Sequence, residues 1–210
     1  MTFQKVIWVI IYVPTIVGIL RYKHLSKAIK YPFFFTCYGA FNETLSFIFR
    51  KFFDFNNTMP QAHIYSFVTI LILALFYRHI FGGSVNRKIF NAVILGLTIY
   101  SFINAFYIQS IWDYPSLQRA IGSLFIMIFS ILYFRKIMEE AKVEKLFREP
   151  LIWINTAVLF YFAGTLFFNI LFNISLEFSV TFTRVTIFYF SISNLALYLL
   201  FTVGFWKSTK

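Results

Sequence analysis

Seven runs of apolar residues divide the chain, each close to the length that carries an α-helix across the hydrocarbon core of a bilayer. They occupy residues 3–20, 33–49, 63–77, 89–108, 117–134, 151–172 and 185–206. The runs are continuous rather than striped, so no single face stays polar for water. With 60% of residues hydrophobic and 13% charged, a soluble fold would hold more apolar surface than it could bury. Pro32, Pro60, Pro115 and Pro150 stand just before runs, where a ring preset for the first helical turn costs no hydrogen bond. Pro14 and Gly18 fall inside the first run, and Pro14 is expected to kink it. The expected fold is all-α: one domain, residues 1–210, built as a bundle of seven transmembrane helices.

A net charge of +11 would suggest nucleic acid in a soluble protein, but here the cations sit in short loops between the runs, which argues against nucleic acid and for the bilayer as partner. Arg21, Lys23, Lys27, Lys30, Arg78, Arg87, Lys88, Arg135, Lys136, Lys142, Lys145, Arg148, Lys207 and Lys210 fall on one side. Lys5, Arg50, Lys51, Arg119 and Arg184 fall on the other. The richer side is expected to be cytoplasmic, with the N-terminus outside and the C-terminus inside. The stretch 6–20 after Lys5 has the layout of a signal peptide, but Arg21, Lys23 and His24 follow it instead of a small-x-small cleavage pattern, so it reads as a retained first span. Cys37 is the sole cysteine, which rules out an internal disulfide. The longest loop, residues 135–150, reads as a charged helical extension of the fifth run. Its Arg135, Lys136, Glu140 and Lys145 are the candidate surface for a cytoplasmic partner.

The second run holds the polar group hardest to explain. Glu43 is the one acidic residue well inside an apolar run, and a carboxylate at that depth costs on the order of 3 kcal/mol by insertion scales unless it is protonated, paired or hydrated. On a helix, Glu43, Ser46 and Arg50 share a face, with Asn42 adjacent. Arg50 stands about 10 Å along the axis from Glu43, too far for a direct pair. Candidate partners from other runs are His63, Arg119 and Arg184, and the fourth run carries Thr98, Ser101 and Asn104. The ligand-binding set is therefore expected to be Glu43, Asn42, Ser46, Arg50, His63, Arg119 and Asn104. Structural pairing and a ligand, proton or ion role both remain open for Glu43. Arg119 either snorkels outward toward Asp113 or turns inward toward Glu43. The other Ser, Thr and Asn residues of the runs, Asn155 and Asn169 among them, are expected to serve as interhelical hydrogen-bond glue.

Other chemistries find few residues. Three histidines, His24, His63 and His79, with two of them read as loop residues, cannot supply a multi-histidine metal centre. There is no H-E-x-x-H, G-x-S-x-G or phosphate-loop pattern, and no lysine in the last run before Lys207 to hold a retinal Schiff base. No catalytic residue, metal or cofactor is expected. An enzyme acting on lipid would have only Asp54, Asp113 and His63 from which to build an acid pair.

The segment Glu149-Pro150-Leu151-Ile152-Trp153-Ile154-Asn155, with Tyr161-Phe162-Ala163-Gly164-Thr165-Leu166-Phe167, resembles small uncharacterised seven-helix membrane proteins of Bacteroidetes. The stretches Arg21-Tyr22-Lys23, Pro60-x-x-His63-x-Tyr65 and Tyr114-Pro115-Ser116-Leu117-x-Arg119 are similar to them as well. Such proteins are often encoded beside histidine kinases. The resemblance therefore implies a bacterial inner-membrane location and a sensory role toward a kinase. The leading expectation is a receptor-like sensor for a small apolar or amphipathic ligand held in the outer half of the bundle. A solute or proton-coupled transporter using Glu43, or a structural subunit of a membrane complex, are the alternatives.

The charge asymmetry is checked with single cysteines in a Cys37→Ser background. A membrane-impermeant maleimide is expected to label Asn56→Cys in intact cells, and Lys142→Cys only after permeabilisation.

Overall fold

The computed structural model describes residues 9–82, 87–140 and 146–208. Among them every regular element is helical. The α-helices are α1 (Tyr12–Leu20), α2 (Lys30–Phe52), α3 (Met59–Phe81), α4 (Arg87–Ile103), α5 (Ser116–Glu140), α6 (Pro150–Phe178) and α7 (Val180–Lys207). A π-helical turn, Asn104–Ile108, extends α4.

Five elements are long and apolar enough to cross a membrane: Met59–Phe81, Arg87–Ile108, Ser116–Glu140, Pro150–Ile170 and Thr181–Lys207. The chain is thus a helical, multi-pass membrane protein. The two shortfalls against the expected seven have different origins. α2 is 23 residues long, but Asn42, Glu43 and the basic residues at its ends dilute its apolar content. The first run lies partly outside the described residues, which leave nine residues in α1. The first run turns at Ile11, three residues before Pro14, whose ring has no N–H to give the preceding turn.

Helix starts follow local chemistry. Pro60 and Pro150 occupy the first turns of α3 and α6, where backbone N–H groups have no helical acceptor. A single extended residue, Ser179, separates α6 from α7, and its Oγ accepts from the Phe182 N–H at 3.1 Å, capping α7. His79, read from sequence as a loop residue, lies in the last turn of α3 with its ring 5.6 Å from Tyr31.

The helices form a ring. α1 packs on α2, α2 on α3, α3 on α5, α5 on α6, α6 on α7, and α7 returns to α1. α4 packs on α3 and α5 from outside and is the least buried of the five long elements. Small residues set the close approaches. A Cβ at Gly122 of α5 would overlap Ile70 of α3, and one at Gly204 of α7 would stand 2.7 Å from Ile154 and 3.3 Å from the Pro150 carbonyl oxygen of α6.

The two ends of the ring differ. The end carrying Trp206 is tied together by Arg21, whose Nη2 donates to the Trp206 carbonyl at 2.8 Å, and by Ser208, whose Oγ donates to the His24 carbonyl at 3.0 Å. That half is filled by Leu73, Phe76, Ile126, Val158, Phe201 and Phe205, none of them more than 1% exposed. One polar node sits within it. The Tyr77 hydroxyl and Ser130 Oγ both donate to Asn155 Oδ1, at 2.7 and 2.9 Å, and Asn155 Nδ2 returns a bond to the Ser130 carbonyl at 3.1 Å. The other end carries the 53–58 and 109–115 loops and the Ser179 turn, and it is not filled.

Asn155→Leu leaves the buried Tyr77 and Ser130 hydroxyls without their acceptor. It is expected to destabilise the purified protein by about 1–3 kcal/mol in a denaturant or thermal titration. Gly122→Val, which drives methyl groups into Ile70, is expected to cost a similar amount.

Candidate functional site

α2 enters the unfilled half with Glu43 nine residues before its end at Phe52, about 13 Å deep along the axis. The helix face expected from sequence is the one turned inward. Asn42, Glu43, Ser46 and Arg50 all line a cavity of about 480 Å³. Arg119 lines it from α5, with Gln61, Ala62 and Tyr65 from α3, Tyr161, Phe168 and Phe172 from α6, and Ile187, Phe190, Ser191, Asn194 and Tyr198 from α7. Ile11, at the start of α1, and Tyr114, in the 109–115 loop, complete the wall. All six helices of the ring thus converge on one polar chamber.

Arg119 turns inward. Its Nε donates to Ser66 Oγ of α3 at 2.7 Å, and its Nη1 donates to the Tyr114 hydroxyl at 3.0 Å. Its guanidinium carbon lies 4.9 Å from the Tyr114 ring centroid and 5.6 Å from that of Tyr65. Tyr114 in turn donates to Asn169 Oδ1 at 2.8 Å, and Asn169 Nδ2 donates to Ser123 Oγ at 3.2 Å. Burial pushes the Tyr114 phenol up from its ordinary range, so it stays a neutral donor to Asn169 while accepting from Arg119. A hydrogen-bonded chain therefore fixes the guanidinium from α3, α5, α6 and the loop at once. Of the five N–H groups of Arg119, two are used in these bonds.

Glu43 is the opposite case. Among the described residues its carboxylate makes no hydrogen bond and no ion pair within 4 Å, and it faces the cavity. Arg50 and Arg119 are the charges within electrostatic reach of it. Asn42 beside it is held by Gln61, whose Nε2 donates to the Asn42 carbonyl at 2.7 Å and to its Oδ1 at 2.8 Å. Ser46 is buried on the next turn.

Two of the expected site residues stand elsewhere. His63 is 4% exposed and behind the cavity wall, its Nε2 3.1 Å from the Asp113 carbonyl oxygen, where it anchors the 109–115 loop. Asn104 is fully buried in the π-helical turn on the peripheral helix, and its Nδ2 donates to Gln109 Oε1 at 3.2 Å. Both act on the loop from which Tyr114 reaches the cavity.

Sequence reasoning passed over the aromatic wall. Tyr65 stands near the start of its run and Tyr161 and Tyr198 in mid-run, where a phenol needs a polar neighbour, and here they meet around Arg119 and Glu43. Phe168 and Phe190 stack at 4.4 Å and close the α6–α7 side, and Tyr114 lies 4.5 Å from Phe172. Phe168 also lines an outward apolar groove between α6 and α7, so one ring separates the cavity from the lipid-facing surface.

At the opposite end, α5 continues helically to Glu140, as the charge pattern implied. Arg135 pairs with Glu139 at 2.7 Å on the exposed surface. Lys136 is drawn over the end of α3, donating to the Ile80 carbonyl at 3.0 Å, with Glu140 at 3.9 Å. Lys145 lies outside the described residues.

Compared with known proteins, the chain matches no family model, no curated protein and no solved structure.

The two charges differ in what the fold spends on them. Glu43→Gln removes no contact within the protein and is expected to leave the thermal midpoint unchanged or raised. Arg119→Ala removes the two hydrogen bonds that join α5 to Ser66 and Tyr114 and is expected to cost about 1–3 kcal/mol, read in the same unfolding experiment.

Proposed function

We propose that this chain is a receptor-like membrane sensor that takes a small amphipathic ligand into the cavity between α2, α3, α5, α6 and α7. One observation carries the reading: a cavity of about 480 Å³, ringed by aromatic side chains and holding a carboxylate with no partner among the described residues, rests on a closely packed floor. Its volume and its mixture of apolar walls with few fixed polar groups are those of small-molecule sites. The packed half beneath it offers no path onward, which favours a binder over a carrier. In this reading all seven helices span the bacterial inner membrane, with the N-terminus outside, so the cavity opens toward the outer face. The helices that line the cavity are those whose far ends meet at Trp206, Lys136 and Asn155. A ligand that draws them together shifts their packing at the cytoplasmic end. There the α5 extension, with Arg135, Lys136, Glu140 and Lys145, would meet a histidine kinase or a comparable partner.

A carboxylate with no partner among the described residues also supports a second reading, a proton-coupled transporter in which Glu43 is the coupling group. That reading needs the floor to open.

Ser191 lines the cavity from α7, and Ser191→Trp would fill it. A panel of small amphipathic metabolites is screened for thermal stabilisation of the protein in nanodiscs. At least one is expected to stabilise the wild type and lose that effect in Ser191→Trp. A panel with no hit that depends on the cavity would overturn the receptor reading. Uptake into proteoliposomes that Glu43→Gln abolishes would establish the transporter instead.

A further inference from the structure

The two charges of the cavity specify more than a polar ligand. Glu43 presents a carboxylate with no protein partner among the described residues. Arg119 is fixed in place by Ser66 and Tyr114 through two of its N–H groups, leaving donors over to face the same chamber. Arg50 has an interaction of its own and stands nearer the end of α2. The pair that remains for a ligand is therefore one acceptor charge and one donor charge on opposing helices, α2 and α5, too far apart to neutralise each other directly. A singly charged ligand satisfies one and leaves the other buried and unpaired, at a cost that desolvation makes large.

We infer that the ligand is a small zwitterion of the amino-acid class, its ammonium group on Glu43 and its carboxylate on the free N–H groups of Arg119. This rests on the cavity being a ligand site, as proposed above. Aromatic faces are also at hand for the ammonium, since Tyr65 of α3 and Tyr198 of α7 line the same cavity as Glu43. The ligand's side chain is apolar or aromatic. The wall left to it is the stack of Phe168 on Phe190 with Phe172 beside them. An amino acid with a small polar side chain would leave that wall wet. The planar guanidinium suits a carboxylate better than a lysine would, because two parallel N–H groups match its two oxygens.

The test uses three molecules of one shape that differ in charge: L-phenylalanine, phenethylamine, which keeps the ammonium alone, and 3-phenylpropionate, which keeps the carboxylate alone. Binding to the full chain in nanodiscs is measured by calorimetry. L-Phenylalanine is expected to bind at least about tenfold more tightly than either analogue. Glu43→Gln is expected to weaken L-phenylalanine and phenethylamine by about tenfold or more while leaving 3-phenylpropionate unchanged. Arg119→Lys is expected to weaken L-phenylalanine and 3-phenylpropionate and spare phenethylamine. Glu43→Gln decides the matter alone if Arg119→Lys does not fold. The inference is overturned if either analogue binds as tightly as L-phenylalanine, or if Glu43→Gln changes nothing. It is also overturned if neither L-phenylalanine nor the other apolar and aromatic amino acids bind. If an uncharged or singly charged metabolite then stabilises the wild type but not Ser191→Trp, the receptor reading stands without the zwitterion. If none does, both fall.

Discussion

A guanidinium among apolar helices is tolerable only when it is held by polar partners, and Arg119 secures two of its five donors by recruiting three other parts of the chain. Ser66 reaches it from α3, Tyr114 from the 109–115 loop, and Asn169 of α6 holds Tyr114 in turn. None of these contacts is local in sequence except the one to Tyr114, five residues away. The node therefore does what apolar packing between lipid-compatible helices does poorly. Leu against Leu gains little over Leu against lipid, so register between such helices is set by hydrogen bonds and by small residues that allow close approach. Gly122 supplies the close approach one turn from Arg119 on α5, against Ile70 of α3.

The division of the ring into a filled and an unfilled half follows from where polar groups are satisfied internally. Around Tyr77, Ser130 and Asn155 each hydroxyl or amide finds protein partners, and the surrounding Phe and Leu side chains close to near-zero exposure. Around Glu43 no hydrogen-bond partner stands among the described residues, and the space is kept open by side chains that cannot collapse onto one another. The Arg119 node is rigid, Gln61 is committed to Asn42, and the Phe168–Phe190 stack braces the α6–α7 wall. An open, charged chamber on a closely packed floor is a stored cost in the free protein, and a complementary molecule would relieve it. That cost is the physical basis for reading the chamber as a binding site.

The sequence made much of this visible. The bilayer-length runs announced helices, and the prolines marked the starts of several. The i, i+3, i+7 spacing of Glu43, Ser46 and Arg50 put them on a common face, and that face is the one turned inward. What it could not show was which polar residue in each run shares a neighbourhood with which. His63, Asn104, Ser66 and Asn169 are all polar residues within the apolar runs. Yet His63 and Asn104 brace the outside of the 109–115 loop, while Ser66 accepts from the guanidinium and Asn169 accepts from the Tyr114 that also holds it. The tyrosines were passed over because thirteen of them are spread through the chain, and single-run periodicity does not separate a phenol facing lipid from one facing a chamber.

By itself, then, the sequence determined the helical class, the bilayer as the solvent and the unusual cost of Glu43, because these follow from composition and spacing along one strand of chain. Only the tertiary structure decided that α4 stands outside the ring, that Arg119 turns inward rather than toward Asp113, and that Glu43 is left facing an open cavity. Those outcomes depend on the angular position of each helix about its own axis relative to its neighbours. That angle is fixed by hydrogen bonds and close contacts between residues dozens of positions apart, which a linear pattern does not encode.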